Sequence, residues 1–268
     1  MLKLGIAEKW HREAKTDPRL KPIIEEVEKA YKVRIAVTSD PEWASAPDKK
    51  TAEIEVSDTL RPLPSFAHEY LHLRLSARGY RHILASINFN LSKNAAIGRL
   101  LSALDNELQH HRMFDDFVKA GFDGVDFYAE SDGGAHIAVK KQIEALTFQS
   151  DPADALPSFL SVIAPGGRWP DDEREALRQL IEKTCPAATW SKLLKIEGII
   201  DRWKQQDGLN PLNTIAEILE ALGGYDDTFI GENVTTYPCD GAILPRMNMN
   251  PTFDKAVRDA LAAQHGKQ

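Results

Sequence analysis

Apolar residues recur at three- and four-residue intervals along much of the chain, and the places where that period fails divide it into elements. Leu4, Ala7, Trp10 and Ala14 make a first short stripe over 1–15, ended by Asp17-Pro18. Leu20, Ile23, Ile24, Val27 and Tyr31 make a clearer helical stripe over 19–32, with Pro22 tolerated in its first turn. The period then falls to two. Val33–Val37 and Ala52–Val56 alternate as half-buried strands do, and Ser39–Lys50, with two prolines and several charges, reads as the loop between them. Arg61-Pro62-Leu63-Pro64 is a stiff approach to a further helix, with Ser65 as expected N-cap and Gly79 as stop.

Residues 80–93 read as a connector with room for helical turns. A long helix is expected at 94–119, striped by Ile97, Leu100, Leu101, Leu104, Leu108, Phe114 and Val118. Phe122–Gly134 reads as an acidic, glycine-rich loop, and Ala135–Phe148 fits either a strand or a helix. Asp151–Pro170, with four prolines and Gly166-Gly167, is the expected boundary. Beyond it, helical periodicity covers 171–184, 187–205, 212–222 and 252–264, with an irregular Gly223–Pro251 segment between the last two. The organisation expected is a core over 1–150 and a mainly helical region over 151–268, α+β and helix-rich.

Chemistry concentrates in the capped helix, which reads Ser65-Phe66-Ala67-His68-Glu69-Tyr70-Leu71-His72-Leu73. His68, Glu69 and His72 spell His-Glu-x-x-His. Histidines four apart on a helix share a face, about 6 Å apart along the axis, so both can ligate one metal. The intervening glutamate then serves as base for the water that the metal activates. Chance alone yields this pattern in roughly one or two such sequences per hundred, so its setting on a helix behind two strands adds to its weight.

The long helix supplies the next ligands. Taking Leu104 as the centre of its stripe, Glu107 and His111 fall inside the leucine sector, whereas Asp105 and His110 point further round. Ionisable groups on an apolar face need a partner or a metal. Glu107 is the first choice for third metal ligand. His111 is its rival or a group supporting a ligand, and Asp105 and His110 are the remaining choices on this helix. His136, Tyr225 and Tyr237 are available to stabilise an oxyanion.

Composition narrows the function classes. The 268 residues are 43% hydrophobic and 27% charged, with formal charge −7 and no basic cluster, which argues against nucleic acid as a partner. Met1–Ile6 lead straight into charged sequence, no apolar run reaches membrane-spanning length, and the two cysteines, Cys185 and Cys239, lie far apart. A cytoplasmic protein with no membrane partner is the expectation.

The motif and the order helix, strand, strand, His-Glu-x-x-His helix resemble the zincin superfamily of metallopeptidases, in the compact gluzincin-type arrangement. The likeness covers residues 19–120. It implies a small twisted sheet above two helices, one carrying His68, Glu69 and His72 and the other a third ligand, commonly a glutamate. It further implies Zn2+ as cofactor, a peptide or protein substrate and Glu69 as general base. Arg74 stands where such motifs have an apolar residue, and the interval from His72 to Glu107 is longer than in the best-known gluzincins. No third motif histidine follows His72, which excludes the metzincin pattern. Two other readings remain: a zinc hydrolase of a non-peptide amide or ester, and a non-catalytic binding protein with a structural or vestigial metal site.

Overall fold

A computed structural model describes residues 2–83, 85–88, 93–129, 134–145, 152–166, 169–225 and 228–231. Among these the chain is α+β and helix-rich. Its elements are α1 (Leu4–Thr16), α2 (Lys21–Ala30), β1 (Lys32–Val37), β2 (Ala44–Asp48), β3 (Thr51–Val56), α3 (Pro62–Ala77), β4 (Ala85–Asn88), α4 (Asn94–Lys119), α5 (Gly134–Ala145), α6 (Pro152–Ile163), α7 (Asp171–Thr184), α8 (Ala187–Gln205), α9 (Leu212–Leu222) and β5 (Thr228–Gly231). Among the described residues no helix is long and apolar enough to cross a membrane.

The chain divides into two compact units, and neither is one continuous stretch. The first comprises Met1–Tyr80, Gln109–Phe148 and Ser158–Cys185; the second comprises Arg81–Leu108, Gln149–Pro157 and Pro186–Gln268.

In the first unit the sheet order is β1-β3-β2, with β1 parallel to β3 and β2 antiparallel to it. The register pairs Ile35 with Ile54 and Val37 with Val56. Along β3, Ala52, Ile54 and Val56 are buried, while Glu53 and Glu55 face solvent. The strand β2 corrects the expected loop over 39–50. Ala-Ser-Ala-Pro-Asp carries no strand-forming side chains, but an edge position tolerates Pro47 because one side of the backbone needs no ladder bond. The two-residue link Lys49-Lys50 closes the β2–β3 hairpin with Lys49 at φ 49°, the backbone sign that tight hairpin turns demand.

Helix α3 begins at Pro62, three residues before the expected cap. Pro62 and Pro64 both sit in the first turn, where the missing N–H costs nothing. Ser65 is therefore inside the helix, its hydroxyl donating back to the Arg61 carbonyl at 2.9 Å. The helix is buried from Ser65 through Leu71, and again at Leu73 and Leu75.

In the second unit Ala85–Asn88 is a strand, β4, antiparallel to β5, where helical turns had been a possibility. Asn88 Nδ2 donates to Thr228 Oγ1 at 2.9 Å, tying the two strands by buried side chains. Periodicity placed α8 and α9 correctly. Lys192 of α8 donates to the Leu222 carbonyl at the end of α9 at 2.6 Å, satisfying a group the helix end leaves open. Trp203, fully buried, donates its indole N–H to the Leu108 carbonyl at 2.9 Å. The expected boundary over 151–170 contains α6, a helix that takes Pro157 within it. The expected helix at 252–264 and Tyr237 lie outside the described residues.

Candidate metal centre

All the residues that build the site belong to the first unit. Helix α3 is fixed on its far side by aromatic packing. Trp43 meets Phe66 edge-on at 4.9 Å between ring centres, and its indole donates to the Ser57 carbonyl at 3.1 Å. Tyr70, with no exposed surface, shares a hydrogen bond between its hydroxyl and Nε2 of His11 on α1 at 2.6 Å. Burial pushes the His11 pKa down to about 4, helped by nearby Lys15, and pushes the Tyr70 hydroxyl up, so both groups stay neutral in this bond. Ser45 of β2 donates to the Glu69 carbonyl at 3.3 Å, which ties the sheet edge to the motif itself. Full burial of Phe66 and Tyr70 contributes about 1.5–3 kcal/mol for each side chain toward holding this helix in place.

Charge fixes the other end. Arg74, its side chain 11% exposed, pairs with Asp116 of α4. Arg78 makes a two-bond fork to Glu26 of α2 at 2.6 and 2.9 Å and reaches Asp116 at 3.5 Å. Arg74 therefore occupies an apolar-type position in the motif because an acid on the adjoining helix neutralises it.

Between these anchors His68, His72 and His110 converge. One nitrogen from each ring can be chosen so that all lie within 4.8 Å of one another. His68 and His110 are each 3% exposed, and His72 is half-buried. The ring of His68 donates from Nδ1 to the Phe127 carbonyl at 2.6 Å. A carbonyl only accepts, so this bond puts the proton on Nδ1 and the lone pair on Nε2. His72 Nδ1 meets the Gln109 amide oxygen at 2.9 Å, which selects the same tautomer. The two Nε2 atoms then face each other at 3.0 Å.

Two Nε2 lone pairs aimed at one point form a donor pair that a metal ion can bridge. Two imidazoles on one tetrahedral zinc, at bond lengths of about 2.0–2.1 Å, hold their nitrogens about 3.3 Å apart, so a small ring rotation suffices. Oriented neutral imidazoles are the donor set that zinc and neighbouring transition metals take. These residues fit a metal ion.

Aromatic rings wall the cluster. Phe127 lies 4.7 Å from the ring of His68 and 5.6 Å from that of His110. Tyr128 stands edge-on to His110 at 5.2 Å, and its hydroxyl comes within 3.5 Å of His110 Nδ1. Glu69 is buried at 3% exposure, one residue from His68 and three before His72 on the same helix.

Of the expected third ligands, Glu107 and His111 are buried on α4 at 6% and 8% exposure, but neither belongs to the three-histidine group. Asp105 bonds His82 at 3.1 Å within the second unit. His136 falls in α5, and its side chain lies outside the described residues. Sequence reasoning ranked His110 behind Glu107 and His111 and passed over Gln109 and Tyr128. The available signal was that Gln109 and Met113 recur at i and i+4, a second buried side of α4 with His110 beside it.

The chain was compared with protein-family models, with curated proteins and with solved structures, and no match was found in any of the three.

Proposed function

We propose that this chain is a zinc-dependent hydrolase, a peptidase in its simplest form, with His68, His72 and His110 as metal ligands and Glu69 as general base. The single observation that carries the reading is the convergence of three imidazoles on one point, two of them locked with Nε2 inward. A glutamate beside two such histidines is the arrangement by which hydrolytic zinc sites pair a metal with a base. The order helix, sheet, motif helix, second helix supports kinship with zincins. In this proposal the third ligand is His110 rather than Glu107.

Zinc bound there would lower the pKa of a water toward neutrality and polarise the carbonyl under attack. The protein's own contribution is positional. Phe127 and Gln109 hold two rings in one tautomer, with Nε2 of each presented to the metal. Phe127 and Tyr128 exclude water from the buried side. Glu69, as carboxylate, takes the proton of the attacking water and returns it to the leaving amine.

The test is hydrolysis of a mixed peptide library by full-length protein loaded with zinc. Cleavage that disappears in Glu69→Gln, while that variant still binds zinc, is the expected result. Cleavage unchanged in Glu69→Gln would overturn the role of Glu69. Cleavage of esters or non-peptide amides alone would keep the metal chemistry and move the substrate class.

A further inference from the structure

The bond that orients His68 comes from a segment far from it in sequence. Residues 123–129 leave the end of α4 and make a 3-10 turn, Gly124–Asp126, whose start is held by Asp123 accepting from the Val125 N–H at 3.1 Å. The next residue, Phe127, presents its carbonyl to His68 Nδ1, and Tyr128 stands beside His110. A backbone carbonyl orients a ring only as well as its own segment is fixed.

Among the described residues two tethers hold this segment, and both run to residues 59–61, just before α3. Arg61 donates from Nη1 to Asp126 Oδ1 at 2.5 Å. Thr59 is buried, and its hydroxyl has a double role: it accepts the Arg61 N–H at 3.2 Å and donates to the Ala129 carbonyl at 3.3 Å. The tethers grip residues 126 and 129, on either side of the Phe127 carbonyl. They begin seven and nine positions before His68, on the chain that becomes its own helix.

We propose that Arg61 and Thr59 are positioning residues for the metal centre, strapping segment 123–129 to the start of α3 so that the Phe127 carbonyl sets the tautomer and angle of His68. The inference rests on the metal reading of the three histidines and adds to it a device for presetting one ligand. Carbonyl partners of this kind act through the ligand rather than on the metal, and losing one costs about 10- to 100-fold in metal affinity.

The experiment measures Zn2+ affinity by competition with a chromophoric chelator, on full-length wild type, Asp126→Asn, Arg61→Leu, Thr59→Val and Thr59→Ser. The charge-reversed double variant Arg61→Asp with Asp126→Arg is included. Circular dichroism confirms folding, and the NMR signal of the His68 Nδ1 proton reports its hydrogen bond without metal. Asp126→Asn, Arg61→Leu and Thr59→Val are expected to bind zinc about 10- to 100-fold more weakly, with faster exchange of that proton. Thr59→Ser, which keeps the hydroxyl, and the charge reversal, which keeps the pair, are expected within about threefold of wild type. Folded single variants at wild-type affinity would overturn the strap, and so would weak binding with an unchanged His68 proton. If Arg61→Leu does not fold, the Thr59→Val and Thr59→Ser pair decides the matter alone. Failure of wild type to bind zinc more tightly than His72→Ala would instead overturn the metal reading.

Discussion

Nε2 of His68 and Nε2 of His72 face each other at 3.0 Å, while the Nδ1 of each ring is turned outward onto an oxygen. That relationship turns a five-letter motif into a site with a direction. The oxygens differ in kind: His68 meets a backbone carbonyl, and His72 meets the side-chain amide of Gln109. Only the second can be changed by substitution without moving the chain.

Gln109 is therefore a direct handle on His72. Replacing it with leucine removes the acceptor, and zinc affinity is expected to fall by about 10- to 100-fold. Gln109→Glu keeps an acceptor and adds a charge that makes the ring a better donor, so affinity should equal or exceed that of wild type. Chelator competition reads both, and equal affinities for wild type and Gln109→Leu would show that His72 needs no such support.

On the proposed reading, Glu69 separates binding from turnover. Glu69→Gln is expected to retain zinc and to lose about 10²–10⁴ in hydrolytic rate, the usual contribution of a general base. Metal content and rate measured on one preparation distinguish this from loss of the site.

His11 gives stability a pH dependence of known sign. Burial holds its folded pKa at about 4 against an ordinary value of 6.5, so the unfolded chain binds more protons between those values. Stability is full above about 6.5 and declines as pH falls toward 4. Because the ring is only half-buried and screened by solvent, the loss is about 1–2 kcal/mol. Urea titrations of metal-free wild type and His11→Gln at several pH values isolate it as the difference between the two profiles. Parallel profiles would contradict the burial of a neutral His11.

Arg74 and Asp116 make an asymmetric pair. Asp116→Ala strands a largely buried guanidinium and is expected to cost about 2 kcal/mol, less than the ~3–5 of a fully buried pair because Asp116 is 31% exposed. Arg74→Met is expected to cost less, since Asp116 keeps Arg78 nearby. Urea unfolding orders the two variants, and the reverse order would place the buried charge cost on Asp116.

Much of the helical scaffold was readable because periodicity and punctuation agreed. Pro186 and Gln205 bracket a striped run that is α8, and Gly223 at φ 77° stops α9. The pairing of His68 with His72 was readable because helical spacing itself is the signal. The strand β2 was not, since its five residues form a strand only by pairing with β3 and touching α3 through Ser45. The place of His110 beside His68 and His72 was not read, for a related reason. Leu104 and Leu108 mark one buried side of α4, but Gln109, His110 and Met113 are buried too, and a stripe drawn through leucines finds only the first side. Phe127 was beyond reach, because its contribution is a main-chain oxygen that any residue would carry.

The measurement that bears most directly on the centre is metal content of the full-length protein as wild type, His110→Ala and Glu107→Gln, each purified in the presence of zinc. One tightly held zinc per chain is expected in wild type and in Glu107→Gln, with loss in His110→Ala. Zinc retained by His110→Ala and lost from Glu107→Gln, or absent from wild type altogether, would contradict the three-histidine site.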